Sequence, residues 1–98
     1  MKIEPGEFVV LVLREPREKI WGVLQEITPA GVCARGMDLN AFEEFIRSYQ
    51  SGEHFYGLSN SFYPLWRVER ISRDEPDGDI PSLAEQFERR TNISANEI

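Results

Sequence analysis

The sequence is poor in the side chains from which metal sites, disulfides and nucleophilic active sites are built. It contains one cysteine, Cys33, and one histidine, His54, among 98 residues. A single cysteine excludes an internal disulfide, and one residue of each type falls short of a zinc ligand set. We therefore expect no metal, no cofactor and an intracellular protein, in which Cys33 is an inert, buried thiol on a strand.

Other signatures of enzymes are missing as well. The seven glycines are scattered singly along the chain, so there is no glycine-rich loop for a phosphate group. Glu43 and Glu44 are adjacent and would diverge by about 100° on a helix, which prevents a paired-carboxylate site. We predict that the protein is not an enzyme. The enzymatic alternative would require the fold to join His54 with an acid or with Cys33.

The sequence also lacks a long hydrophobic run. No stretch approaches the roughly 20 apolar residues that a membrane helix needs. Residues 1–7 lack the succession of basic, apolar and small residues that is typical of a signal peptide. We therefore expect no membrane contact and a soluble, cytoplasmic protein.

Acidic residues outnumber basic ones, and most of the excess lies in residues 74–98. The formal net charge is −6, with nine Lys or Arg against ten Asp or Glu in residues 1–73 and two against seven in residues 74–98. Basic side chains drive nucleic-acid binding, so the total charge opposes it. The nearly neutral first part still permits a local basic patch, and we interpret the acidic tail as an aid to solubility.

The remaining patterns predict one small domain rich in β-strands. A chain of this length with 41% hydrophobic residues can bury one core. Phe8–Leu13 is an apolar, β-branched run that predicts a strand, residues 14–19 form a charged hairpin loop, and residues 20–27 form the returning strand. Gly22 in that strand indicates a bulge or a sharp bend. A turn then leads to a short third strand at residues 32–36.

A helix is predicted at about residues 40–51, inserted between the third and fourth strands. Its apolar side chains recur at i, i+3, i+4 and i+7 and form a stripe that we expect in the core: Phe42, Phe45, Ile46 and Tyr49. Asn40 is the expected N-cap, Glu43 completes a variant of the capping box, and Gly52 is the expected stop.

The following segment predicts the last two strands. We interpret residues 53–61 as a fourth strand that leads into a polar turn. Pro64 lacks a backbone donor and therefore belongs at a strand edge or in a tight turn. A 3₁₀ turn over residues 65–67, followed by a short final strand, accounts for the three-residue spacing between Val68 and Ile71.

Residues 74–98 are predicted to form an acidic linker and a short helix. The linker covers residues 74–79. Ser82 and Glu85 match the capping-box pattern, and the helix is expected to end near residue 90. Its narrow apolar stripe consists of Ile80, Leu83 and Phe87. The helix packs either on its own domain or on a neighbouring protein.

The order of these elements resembles the Sm-like and SH3-like family of small β-barrels, over about residues 7–73. Sm-like proteins carry Gly-x-Leu in the second strand, as Gly22-Val23-Leu24 does here, and a tight turn between the last strands, matched by Tyr63-Pro64-Leu65-Trp66. The resemblance implies a five-stranded barrel. The inserted helix has no counterpart at that place in the family, and together with the short C-terminal helix it leads us to expect a mainly β, α+β fold, with the barrel and inserted helix over residues 1–73. The resemblance also implies assembly into rings by strand pairing and binding of single-stranded RNA.

The candidate binding residues combine aromatic rings with guanidinium groups: Tyr63, Trp66, Arg67 and Arg70. Such side chains stack on bases and hold phosphates. The bland alternative is that the arginines pair with local acids such as Glu69 and that Trp66 lies in the core. Where the family places its base-reading Asp and Asn, this sequence has Thr28 and Gly31 nearby.

These patterns predict a non-catalytic binding or adaptor module that acts through protein contacts. We expect it to self-associate, because the edges of a small sheet must be paired, covered or charged. The alternative is an Sm-like protein that binds single-stranded RNA through the four candidate residues.

Overall fold

The structure, a computed structural model, describes residues 2–53 and 57–98. Its five strands are β1 (Phe8–Leu13), β2 (Glu18–Ile27), β3 (Gly31–Asp38), β4 (Ser59–Pro64) and β5 (Val68–Arg73). Its two helices are α1 (Phe42–Gln50) and α2 (Leu83–Thr91), and 3₁₀ turns lie at Leu39–Ala41, Leu65–Arg67 and Ala95–Glu97. All strand pairs are antiparallel. The predicted α+β class is therefore confirmed.

The sheet is open. Its strands follow the order β4-β3-β2-β1-β5, so β4 and β5 are the two outer strands. Within the described residues, β4 forms its ladder with β3 and β5 forms its ladder with β1. A closed barrel would require a further ladder between the two outer strands. The predicted barrel is therefore not confirmed.

One face of the sheet carries an aliphatic core. Leu11 on β1 is opposite Ile20 on β2 and Ile71 on β5, and directly opposed residues of antiparallel strands share a face. The buried members of this core are Val9, Leu11, Leu13, Ile20, Leu24, Val32 and Ala34. Tyr63 and Val68 pack against it from the segments at the two edges of the sheet.

The other face is covered by the two helices. Trp21 follows Ile20 and therefore points to this face, where it is fully buried. Its ring stacks on Phe8 at 5.1 Å between centroids and meets Phe42 edge-on at 5.3 Å. Phe45 on α1 and Phe87 on α2 lie 5.4 Å apart. The predicted core stripe of α1 is thus confirmed, and α2 packs on its own chain.

The start of α1 differs from the expectation. Asn40 is not its N-cap, because the Asn40 backbone N–H donates to Asp38 Oδ1 at 2.8 Å in the 3₁₀ turn that precedes α1. Glu43 does not complete a capping box; its carboxylate accepts two hydrogen bonds from the guanidinium of Arg90 on α2, both at 2.8 Å. The predicted stop is confirmed, since Gly52 has a φ of +78°, where other residues are strained.

The glycine of β2 allows two backbones to approach closely. A Cβ atom added at Gly22 would overlap the backbone of Arg35 and Gly36 on β3. The irregularity expected at Gly22 lies further along the strand, where the register shifts between Leu24 and Glu26. Gly22 therefore allows β2 and β3 to pack closely, and the bulge lies further along β2, between Leu24 and Glu26.

The fourth strand begins later than predicted. β4 starts at Ser59 and ends at Pro64, whereas the prediction covered residues 53–61, of which residues 54–56 lie outside the described part of the chain. Pro64 lies at the sheet edge, as expected. The predicted 3₁₀ turn over Leu65–Arg67 and the final strand after it are confirmed.

The predicted linker begins with a residue that is firmly bound. Asp74 accepts a hydrogen bond from Trp21 Nε1 at 3.0 Å and from the backbone N–H groups of Leu83 and Ala84 at 2.8 and 3.0 Å. The carboxylate therefore joins β2 to the first turn of α2. An acid at a helix N-terminus also interacts favourably with the free N–H groups there.

The capping box of α2 is confirmed. Ser82 Oγ accepts from the Glu85 N–H, and the Glu85 carboxylate accepts from the Ser82 N–H, both at 3.1 Å. Phe87 is fully buried, but Ile80 is 64% exposed and therefore does not belong to the apolar stripe. The helix ends one residue after the expected position, at Thr91.

Candidate interaction surface

Four large apolar residues are exposed around one end of the sheet. Ile27, Phe62, Leu65 and Trp66 are 51%, 52%, 47% and 57% exposed. They lie where β2 ends, where β4 ends and in the 3₁₀ turn that follows. The Leu65 N–H donates to the carbonyl of Ala30 in the β2–β3 turn at 3.0 Å, which holds these segments together. Ile27 is opposite Val32 of the aliphatic core, whereas Phe62 is opposite Cys33, so these two lie on opposite faces of the sheet. We call the four residues, which surround this end of the sheet from both faces, the apolar end surface.

Two chain segments at this end of the sheet contain no charged residues, although Arg14 reaches the Trp66 carbonyl from the β1–β2 hairpin. Residues 27–34 and 57–66 lack Asp, Glu, Lys and Arg, although these types make up 29% of the chain. The cores of protein interfaces are depleted in charge and enriched in aromatic residues, because an unpaired charge is costly to desolvate. The composition of this end is therefore typical of a protein-binding site.

The hydrogen-bond phase of β4 determines which of its backbone groups are free. In an antiparallel pair, every second residue exchanges hydrogen bonds with the neighbouring strand. The bond from Leu65 to Ala30 continues the register in which Tyr63 is opposite Val32. Tyr63 and, two residues earlier, Ser61 therefore bond to β3.

The residues between them direct their backbone groups away from the sheet. By the same alternation, the N–H and C=O groups of Asn60 and Phe62 point outward along the free edge of β4. Pro64, the last residue of the strand, offers a carbonyl but no N–H. Among the described residues, the free edge of β4 thus presents two donors and three acceptors beside the apolar end surface.

The opposite edge of the sheet is charged. β5 carries Glu69, Arg70 and Arg73. Arg73 Nε donates to the Glu7 carboxylate at 2.5 Å, and this hydrogen bond lowers the pKa of Glu7 and raises the pKa of Arg73. Arg17 in the β1–β2 hairpin lies 3.7 Å from Glu69. An incoming uncharged strand would have to desolvate these groups at β5 but not at β4.

Two of the predicted binding residues are the aromatic ones, and the structure places them differently. Tyr63 packs against the aliphatic core and is half-buried. Trp66 belongs to the apolar end surface, so the expectation that it lies in the core is wrong. Its backbone carbonyl accepts a hydrogen bond from Arg14 Nε at 2.7 Å.

Arg67 is bound to the β1–β2 hairpin. Its Nε donates to the Arg14 carbonyl at 3.1 Å, and its Nη2 donates to the Pro16 carbonyl at 2.9 Å and to Glu18 Oε1 at 2.7 Å. Only 18% of the side chain is exposed. A guanidinium with these three bonds holds the hairpin and has little capacity left for a phosphate.

Arg70 is the remaining predicted residue and is exposed on β5. Within the described residues it makes no side-chain hydrogen bond and no ion pair. Its backbone position is opposite Val12 on β1. The four predicted residues therefore do not combine into one surface: one packs inward, one is bound to a hairpin, and Trp66 and Arg70 are exposed.

The remaining residues considered for chemistry are the possible metal ligands, Cys33 and His54. The described residues contain no group of His, Cys, Asp and Glu that could hold a metal ion. Cys33 is half-buried on β3 opposite Phe62, so the thiol is less buried than the sequence predicted, and its inertness stays a prediction. His54 lies outside the described residues, and the Cys33–His54 pair stays without a structural account. None of the helices in ranges 2–53 and 57–98 is long and apolar enough for a membrane span.

A shallow cleft of about 270 Å³ lies at the other end of the sheet. It is lined by Arg17, Glu18, Lys19, Leu39 and Asn40. Two of its charged groups are already engaged, because Arg17 pairs with Glu69 and Glu18 pairs with Arg67. Few charged groups of the cleft are therefore left to bind a ligand, and we take the apolar end surface as the candidate site.

No protein-family model, no curated protein and no solved structure matches this chain. Function is therefore inferred from the geometry of its own residues. Sequence reasoning missed Ile27, Phe62 and Leu65, because apolar residues beside core strands are expected inside. The signal that could have found them is the absence of charge over residues 27–34 and 57–66.

Proposed function

We propose that the protein is a non-catalytic cytoplasmic binding module that acts through protein contacts and self-associates through a strand edge. The observation that carries this proposal is the pair of uncharged segments, residues 27–34 and 57–66, where the apolar end surface adjoins the free backbone of β4. A free strand edge is a template for another strand, and neighbouring apolar side chains add the gain from removing their surface from water.

The proposal includes an Sm-like or SH3-like relationship for residues 7–73. The strand order and the 3₁₀ turn between β4 and β5 support it. A sheet of this order becomes a small, partly open barrel if it curls strongly, and the outer edges of β4 and β5 can then stay free for pairing with another strand. The structure shows the open five-stranded sheet, and the barrel is part of the proposal.

Binding of single-stranded RNA is the second candidate function. Exposed Trp66 and Arg70 favour it, because an aromatic face can stack on a base while a guanidinium holds a phosphate. The bound state of Arg67 and the net charge of −6 weigh against it. We therefore rank protein contacts first.

Light scattering after size-exclusion chromatography tests the leading proposal. We expect the full chain to exceed its monomer mass of 11.3 kDa at micromolar concentration and to lose mass on dilution. Phe62→Ser should weaken the association, whereas Ile80→Ser, which alters an exposed apolar residue elsewhere, should not. A monomer at every concentration would contradict self-association.

A salt titration separates the two candidate functions. Fluorescence anisotropy with a labelled single-stranded RNA would show affinity that falls steeply with salt if phosphates are held. Trp66→Ala should then reduce the remaining affinity, because stacking contributes about 1–3 kcal/mol per base. The absence of salt-sensitive binding would remove the RNA alternative and leave the leading proposal untouched.

A further inference from the structure

The two edge strands of the sheet, uncharged β4 and charged β5, are suited to different binding partners. We propose that β4 pairs with β4 of a second copy of this chain, antiparallel about a two-fold axis at Ser61, to form a closed dimer. The inference rests on the proposed function, because it names the partner and the register of the same edge. Three features of the β4 edge carry it: the backbone phase, the charge distribution and the sizes of the side chains.

The outward backbone groups match this register. With Ser61 opposite Ser61 of the second copy, Asn60 of each copy is opposite Phe62 of the other. Each of these two pairs exchanges two N–H···O bonds, so all outward donors and acceptors of Asn60 and Phe62 are used. A register centred on Phe62 would place Asn60 opposite Pro64, which has no N–H, and would lose a donor in each pair.

Charge favours a second copy of β4 over β5 as the occupant. Two chains of net charge −6 repel each other, and the repulsion at contact is smallest where both surfaces are uncharged. Residues 57–66 carry no charge on either copy, and the one charged residue of β3 that is opposite β4 is Arg35, across from Asn60. Docking of β4 on β5 would instead bury apolar side chains against Glu69 and Arg70, whose desolvation opposes binding.

The side chains also suit the two-fold arrangement. Ser61 occupies the closely spaced, non-hydrogen-bonded position of the new pair, where Cα atoms lie about 4.5 Å apart and a small residue fits. The Phe62 rings of the two copies lie diagonally on one face, at about 7–8 Å, which aromatic side chains can span. An isologous contact closes at two copies, so the charged β5 edges stay outside the dimer.

Cysteine cross-linking tests the register. In a Cys33→Ser background, Ser61→Cys should form a covalent dimer under mild oxidation, because the paired Cα atoms fall within the range of a disulfide. Ser72→Cys, an exposed position on β5, is the matched control and should stay uncross-linked. Sedimentation should give a dimer whose dissociation constant rises at least tenfold in Asn60→Lys and less than twofold in Ser72→Lys.

The outcomes separate this inference from the proposed function. A larger assembly that is weakened by Ser72→Lys as much as by Asn60→Lys would overturn β4–β4 pairing and keep self-association. A dimer that gives no cross-link with Ser61→Cys would also overturn the pairing. A monomer at every concentration, without a cross-link, would overturn both. Circular dichroism of each variant shows that it is folded before its mass is compared.

Discussion

Trp21 and Asp74 are joined by a hydrogen bond of 3.0 Å from the indole Nε1 to the carboxylate. The same carboxylate accepts from two backbone N–H groups at the start of α2. Trp21 is fully buried, so its N–H has no access to water and depends on this acceptor. Asp74 therefore couples the central strands of the sheet to the C-terminal helix.

Asp74→Ala should destabilise the fold by about 2–4 kcal/mol. It leaves a buried indole donor unsatisfied, at about 1–3 kcal/mol, and removes an acceptor at a helix start, at about 0.5–2 kcal/mol. Urea denaturation measures the change. Asp77→Ala, at an exposed position of the same acidic segment, is the control and should have little effect. In a Trp21→Phe background, the cost of Asp74→Ala should shrink; equal costs in both backgrounds would contradict the coupling.

Arg67→Ala should loosen the β1–β2 hairpin. The substitution removes three hydrogen bonds to the hairpin, two of them to carbonyl groups, and we expect a loss of about 1–3 kcal/mol. Hydrogen exchange should become faster in residues 14–18 than elsewhere. Arg70→Ala removes an exposed guanidinium from the neighbouring strand and should leave stability within about 0.5 kcal/mol. Similar exchange in the two variants would refute the role of Arg67.

Gly22→Ala should be among the most damaging single changes. The added Cβ would overlap the backbone of β3, which cannot move aside as a flexible side chain can, and overpacking of this kind costs about 1–3 kcal/mol or more. Gly57→Ala provides a matched control, because no atom of the described residues lies within 4 Å of its added Cβ. Thermal unfolding of both variants gives the comparison. If Gly22→Ala melted at the same temperature as the wild type, β2 and β3 could move apart without cost, and the prediction would be wrong.

Acid should destabilise the protein below about pH 4.5. Three carboxyl groups have a pKa below the ordinary value of 4.5: Glu7, Glu43 and Glu85. The Arg90 guanidinium lowers the pKa of Glu43, and the Ser82 backbone N–H lowers that of Glu85. Because the unfolded chain binds protons more readily at these groups, their stabilisation is complete above the unfolded pKa and is lost as pH falls through the folded values.

The measurement is urea denaturation from pH 7 down to pH 3 at low protein concentration. Stability should be nearly constant down to about pH 5 and then decrease. Glu43→Gln should show a smaller decrease over the acidic range, because one of the linked groups no longer titrates. A stability that increases on acidification would contradict the sign.

Local patterns predicted much of the fold. The apolar run of β1, the helical period of α1 and the capping box of α2 all depend on neighbours within a few residues, and all three are confirmed. The three-residue spacing of Val68 and Ile71 even predicted the 3₁₀ turn before β5. Closure of the sheet could not be decided in this way, since it depends on contacts between strands that are far apart in the chain.

The candidate interaction surface was harder to predict for the same reason. Arg67 looked free in the sequence because its acceptors lie about fifty residues earlier in the chain, at 49 to 53 positions of separation. Asp74 looked like part of a linker because its indole partner is 53 positions away. Ile27 and Phe62 were not singled out because the alternation of a strand does not reveal which end of the sheet is left uncovered.

The docking of α2 makes the C-terminal segment a point of vulnerability to proteases. A cut after residue 73 would release both Asp74 and Phe87, leaving the indole of Trp21 without its acceptor and the ring of Phe45 facing water. The cleaved product would expose aromatic side chains of the core, and it would aggregate or be degraded by cellular proteases. In a cell, the lifetime of the whole molecule would then be governed by the integrity of its last quarter.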